Sequence, residues 1–212
     1  MKNAKRFLFA LSLPVCIIAC TGRTNNHDHG QPVIHNDSNF NAPDISVNPY
    51  ATVDLSPMDI SYYPAEYPKL KTENPAAAPP LARVIYSRPH LQGRSLFPGV
   101  LKYGSHWRLG ANEATEIQFY TEADILGEKI KAGRYIIYCI PDSTSWTIAL
   151  NSNIDSWGLV PDSTMDIAQF TIPSTTTRQR VEFFTMVFEK STGYIDLLMA
   201  WDNVEARLPI KF

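Results

Sequence analysis

Three features of residues 81–212 predict an all-β fold, either an antiparallel β-sandwich or a jelly-roll-like barrel of about eight to ten strands. Short apolar runs recur along this region, turn signals separate them at regular spacing, and no stretch has the apolar period of an amphipathic helix. A region of this length is enough for one hydrophobic core. No internal repeat is present.

The strands follow in order. In residues 81–87 Val84 and Tyr86 face one way and Ile85 the other. Arg88-Pro89 ends the run, because proline cannot donate to a ladder. A short strand is expected over residues 92–97, before Pro98-Gly99. Thr115, Ile117 and Phe119 then alternate with Glu116 and Gln118, the signature of a half-buried strand. Gly127 and the Lys-Ala-Gly turn at 131–133 frame a brief strand at 128–131. Residues 134–140 are apolar on both faces and predict a central strand. After a turn at 141–144, Trp146, Ile148 and Leu150 alternate with Thr147 and Ala149. A loop through Trp157-Gly158 leads to a strand over 165–172. Residues 181–188 and 194–201 are rich in aromatic and branched side chains and are joined through 191–193. Asp202-Asn203 reads as a tight turn into Val204, Ala206, Leu208 and Ile210.

The first 80 residues read differently. Lys2, Lys5 and Arg6 precede an apolar run over residues 7–19, which is too short to span a bilayer and predicts a secretory signal. The run ends Ile17-Ile18-Ala19-Cys20, which resembles a bacterial lipobox. The expectation is a signal peptide at 1–19 and a lipid on Cys20. Lipidation would give lasting membrane attachment, since each buried CH₂ of an acyl chain contributes roughly 0.8 kcal/mol. This places the chain in a bacterial cell envelope, at the outer membrane, facing the periplasm or the cell surface. Residues 20–80 hold nine of the 16 prolines and read as a disordered, Pro-rich tether, with 81–212 as a single β domain. Segments 60–63 and 67–70 carry aromatic residues that can pack on the domain.

Composition excludes some functions. The net charge of -2 argues against nucleic-acid binding. His27, Asp28, His29 and His35 include a His-x-His pair, yet nothing nearby completes a rigid site, so neither a metal nor a cofactor is expected. With Cys16 in the signal and Cys20 lipidated, Cys139 is left alone in an apolar setting and is read as a buried, inert thiol. No G-x-S-x-G, H-E-x-x-H or glycine-rich phosphate loop is present.

The candidate site gathers around residues 86–115. Arg88, Arg94 and Arg108 lie near turns, and arginine is the fork that grips carboxylate or phosphate at two points. Trp107 and Trp157 add flat apolar faces, which suit a sugar ring or a small anion. Asn112 and Glu113 stand beside Arg108 in sequence. The same residues also admit a structural reading, with Arg108 paired to Glu113 or Glu116, Asn112 shaping a turn and Trp107 in the core. A catalytic reading makes Glu113 the general acid or base, with His106 or His90 as partner and Glu116 or Asp124 as second carboxylate.

Five pieces of this region carry a family resemblance: Tyr-Ser-Arg-Pro at 86–89, Gly93-Arg94, Trp-Arg-Leu-Gly-Ala-Asn-Glu-Ala-Thr at 107–115, Ala-Gly-Arg-Tyr at 132–135, and Trp157-Gly158. Together they resemble a bacterial domain-of-unknown-function family, numbered 2911, over roughly residues 82–212. The resemblance implies a secreted or lipid-anchored β domain without an assigned activity, and it supplies no catalytic residue. The leading expectation is therefore an envelope binding module for a small anionic or glycan ligand. The rivals are an envelope hydrolase acting through Glu113 and a structural or assembly protein that docks an unknown protein partner.

Overall fold

The computed structural model describes residues 50–212. The expected signal peptide, Cys20 and the histidines at 27, 29 and 35 lie outside the described residues. Within them the chain is all-β and wholly antiparallel. Nine strands form one open sheet in the order β1-β2-β3-β6-β7-β8-β9-β4-β5. Their ranges are β1 Met58–Tyr63, β2 Ala82–Ser87, β3 Glu116–Phe119, β4 Ala123–Ile125, β5 Glu128–Ile130, β6 Gly133–Pro141, β7 Ser145–Asn151, β8 Asp166–Ser191 and β9 Tyr194–Lys211.

Strand β8 turns this row into a folded-over sheet. Its first part pairs with β7 as far as Ser145↔Pro173. Its second part pairs with β9 from Ser174↔Ala206 onward. Tyr63 of β1 reaches Phe188 of β8, with ring centroids 6.4 Å apart, and stacks on Phe212. Tyr86 of β2 meets Phe184 of β8 edge-on at 5.7 Å. One buried core fills the space between the two halves, with Val84, Ile117, Phe119, Trp146, Phe184, Leu197 and Leu208 among its members. The predicted alternation holds: Val84 and Tyr86 are buried beside a half-buried Ile85, and Ile117 and Phe119 are buried beside half-buried Glu116 and Gln118.

Four expectations are corrected. First, structure begins before residue 81. Strand β1, inside the expected tether, pairs along its whole length with β2. A short helix, α1 (Tyr67–Glu73), follows with Pro68 in its first turn, where no amide partner is lost. Proline density hid β1, although its own six residues contain no proline. Second, residues 92–97 form no strand. Gln92 and Gly93 take positive φ, and a helical turn at Leu96–Val100 follows. Third, residues 165–172 and 181–188 are one strand. Fourth, Asp202-Asn203 is not a hairpin turn: β9 runs through it, opposite a bulge in β8. Asp202 has φ 55°, and β8 carries extra residues between Thr176 and Val181 opposite it. The buried Asp202 carboxylate accepts from the Leu96 amide at 3.2 Å and pairs with Arg180, which pins the bulge. Strand β4 was not anticipated, because three residues are too few to display a period.

Candidate functional site

The stretch from Gly104 to Thr115 lies along an edge that the sheet leaves open. Strand β3 pairs with β6 only as far as Glu116↔Ile136. Beyond that point the amides and carbonyls of β6 are taken by the loop. The Ile137 amide donates to Thr115, Trp107 and Cys139 exchange two bonds of 2.8 Å, and the Gly104 amide donates to Pro141. The loop is thereby held in register without being a strand.

Two features fix its inner turn. Gly110 packs against β2, and a Cβ there would meet the Ser87 carbonyl oxygen and the Thr115 Oγ1, both at 3.1 Å. Leu109 takes φ 52° although it is fully buried, a backbone state that a branched residue adopts only when its surroundings dictate it. The Thr115 hydroxyl donates to the Leu109 carbonyl at 2.7 Å. Asn112, at φ 62°, is a residue that tolerates this region, and its amide donates to Asp54 at 2.8 Å.

Trp107 is a core residue, 8% exposed, and it also forms the floor of a surface cleft. Its ring meets Trp146 and Phe184 edge-on and stacks on Trp201 at 5.7 Å. Its Nε1 donates to the Gly110 carbonyl at 3.3 Å. The cleft has a volume of 520 Å³. Its apolar lining includes Val100, Leu101, Leu159 and the two tryptophans, and its cationic and titratable lining is Arg94, Lys102, His106 and Arg108. No Asp or Glu lines it.

The two arginines are held in an unusual way. Arg108 donates to the Asn112 carbonyl at 2.8 Å and to the Trp157 carbonyl at 3.2 Å. Arg94 donates to the Leu91 carbonyl at 2.8 Å and the His90 carbonyl at 3.1 Å. Neither has a carboxylate within ion-pair distance among the described residues. The guanidinium groups are thus oriented by neutral acceptors and keep their charge. Partial burial pulls the Arg108 pKa below its ordinary value, with Glu113 acting in the opposite direction. An arginine remains charged at neutral pH even so.

Gly158 connects the far wall. At φ 80°, its Cα lies so close to the cleft that a Cβ would come within 2.9 Å of the Ala114 Cβ and 3.2 Å of the Arg108 Cβ. The Trp-Gly pair and the Arg-to-Thr stretch, far apart in sequence, are therefore pressed together.

The sequence-predicted residues divide. Arg94, Trp107 and Arg108 line one cleft, and His106 joins them. Arg88 does not. It donates to Asp59 and to the Phe184 carbonyl, joining β1 to β8. The Asn112 side chain is spent on Asp54. Trp157 lends its carbonyl to Arg108, while the residue, 58% exposed, is not part of the lining. Glu113 is exposed and does not line the cleft. Of its suggested carboxylate partners, Glu116 pairs with Arg134, and Asp124 accepts from the Gly127 amide. His90 stacks on Phe183 at 5.0 Å, away from the cleft lining.

Sequence reasoning missed Lys102, Leu101 and Trp201. Lys102 is delivered by the turn at Leu96–Val100, whose ends are brought together by Phe97 stacking on Tyr103 at 4.2 Å. Trp201 comes from β9, and no local signal ties it to the loop. Cys139 is buried and free, and burial pushes its pKa up. No group of three or more potential metal ligands occurs among the described residues.

No curated protein matches this chain, and no solved structure does. The family described as protein of unknown function (DUF2911) matches residues 75–210, which is more than half of the chain. That span takes in the cleft's arginines, the Trp-to-Thr loop and the Trp-Gly pair that closes on them, and the chain belongs to the DUF2911 family.

Proposed function

We propose that this chain is a binding module of the bacterial cell envelope, tethered through a lipid on Cys20, whose cleft takes a small anionic ligand: a phosphate- or carboxylate-bearing metabolite or an anionic glycan. One observation carries this reading. Arg94 and Arg108 line a cleft free of carboxylates and are held by backbone carbonyls alone. Two fixed forks, with Lys102 and His106 beside them, offer an anion charge-assisted bonds in a setting where, among the described residues, no carboxylate is paired with them. The indole floor of Trp107 and Trp201 suits the apolar body of such a ligand. Catalysis through Glu113 is not part of this reading, because that side chain does not line the cleft.

The test is calorimetric titration of the full chain with inorganic phosphate, citrate and a neutral hexose. Binding of an anion, lost in an Arg94→Gln, Arg108→Gln double variant that still folds, supports the reading. Absence of any anion binding, or equal binding by the neutral sugar, overturns it. The anchor is tested separately. Cys20→Ser should move the chain from the membrane fraction to the soluble envelope fraction, and an unchanged membrane association would refute lipidation. The expected location is the outer membrane, facing the periplasm or the surface.

A further inference from the structure

Beside the cationic cleft stands a loop whose apolar side chains face water. Trp157 is 58% exposed, Leu159 62% and Val160 88%. Three large apolar residues within four positions, on a loop that makes no strand pairing, is not what a solvated turn requires. The loop is also not free to fold away. Gly158 is wedged against Ala114 and Arg108, and the Trp157 carbonyl is bonded to Arg108. The side chain that presents charge to the cleft therefore also fixes the apolar loop at its rim, and Gly158 and Leu159 line the cleft themselves.

The loop's own carboxylates are turned elsewhere. Asp155 acts on Arg134, and Asp162 accepts from the Thr164 amide and hydroxyl. Apolar tips next to cations that make no ion pair among the described residues match one kind of surface. An indole seats at the boundary between head groups and acyl chains, aliphatic side chains enter the chains, and basic groups meet the phosphates.

We propose that this end of the domain docks on an anionic phospholipid surface: Trp157, Leu159 and Val160 enter the head-group and acyl boundary, and Arg94, Lys102 and Arg108 take a lipid phosphate in the cleft. This rests on the anion-binding reading of the same cleft and names its ligand class. A lipid on Cys20 would hold the chain near a membrane. The docking face would then set how the domain lies on it.

The experiment uses the full chain with Cys20→Ser, so that no acyl anchor contributes. Binding is measured to vesicles of phosphatidylcholine alone and of phosphatidylcholine with one third phosphatidylglycerol, alongside titration with inorganic phosphate. Each basic group near an anionic surface adds roughly a fivefold gain, so the phosphatidylglycerol vesicles should bind at least about tenfold tighter. Brominated acyl chains should quench tryptophan emission, since Trp107, Trp146 and Trp201 are buried and Trp157 is exposed. Trp157→Ser with Val160→Ser should abolish vesicle binding, and Val160→Ser alone, at a side chain outside the cleft lining, should weaken vesicle binding and leave phosphate binding unchanged. Phosphate binding without vesicle binding overturns the docking proposal and leaves the cleft reading standing. Failure to bind either overturns both. Vesicle binding that ignores phosphatidylglycerol, or that survives the Arg94→Gln, Arg108→Gln double variant, overturns the role given to the cleft.

Discussion

Arg88 and Arg108 come from neighbouring parts of one family signature, yet they do opposite things. Arg88 sits where the sheet folds over. Asp59 on β1 neutralises it, and the Phe184 carbonyl and Thr185 hydroxyl of β8 take its remaining donors. The two bonds to β8 join one half of the sheet to the other, and the bond to Asp59 fastens β1 to the end of β2. Arg108 is bonded through Nη1 alone, to carbonyls of its own and the adjoining loop. The first arrangement spends the charge on architecture, while the second fixes the geometry and leaves the charge available. An arginine in a sequence does not say by itself which it will be. The carboxylate decides, and here Asp59 lies in a segment that proline content had assigned to a tether.

This contrast can be broken most severely at Trp107, which supports the cleft floor and also touches Phe184 beside the Arg88 seam. Trp107→Ala should cost about 3–5 kcal/mol in denaturant unfolding and damage both regions together. A loss confined to anion binding would mean that the indole is not the shared support described. The contrast is sharpened next by the arginines themselves. Arg108→Gln or Arg94→Gln should weaken phosphate binding by at least about tenfold, in line with roughly 1.5–3 kcal/mol for a charged hydrogen bond, with little change in the unfolding midpoint. Gly158→Ala should cost about 1–3 kcal/mol, from backbone strain at positive φ and from the clash with Ala114, and should weaken phosphate binding through the displaced Trp157 carbonyl. Arg88→Gln should leave phosphate binding unchanged. Its cost in stability should be under about 1 kcal/mol, since the ion pair with Asp59 is more than a third exposed and screened.

The smallest expected effect concerns acid. Arg180, foremost, and the Leu96 and Asn203 amides hold the Asp202 carboxyl below the usual aspartate range, against the effect of burial. A depressed folded-state value contributes stability that is present above the unfolded value of about 3.9 and is lost as pH falls through the folded one. The stability gap between the native chain and Asp202→Asn should therefore be constant near neutral pH and shrink below about pH 4. A gap independent of pH would show that Asp202 serves the bulge by shape alone.

Much of the fold was legible because antiparallel strands with one buried face write their period into the chain. Ile117 and Phe119 against Glu116 and Gln118 are enough to orient β3. The errors came where that period is interrupted for a physical reason. Asp202 and Asn203 are turn-type residues because the point of β9 that faces the β8 bulge also needs a positive φ, and such an irregularity and a hairpin look alike in one dimension. Strand β1 carries alternation over only six residues, and the flanking prolines outweighed it. The site was half legible. Arg94, Trp107 and Arg108 announced themselves by type and spacing. Lys102 and Trp201 arrive from a turn and a distant strand, and only the closing of the sheet brings them together. Arg88 was misplaced for a similar reason, since nothing local revealed that Asp59 would neutralise it.

The order of strands in the sheet has a consequence for how the chain is made. The hairpin of β4 and β5 precedes β9 by more than sixty residues, but among the described residues its only ladder to the rest of the sheet is Asp124↔Lys211 and Ile125↔Ile210, formed with the last residues of β9. Ile125 and Ile210 are both fully buried. As the chain is synthesised, this hairpin must wait, its apolar side uncovered, until residues 210 and 211 have been made. Pairings of such sequence separation close slowly. A chain lacking Ile210 and Lys211 would keep its cleft residues and lose this ladder, and quality control would meet the exposed edge first.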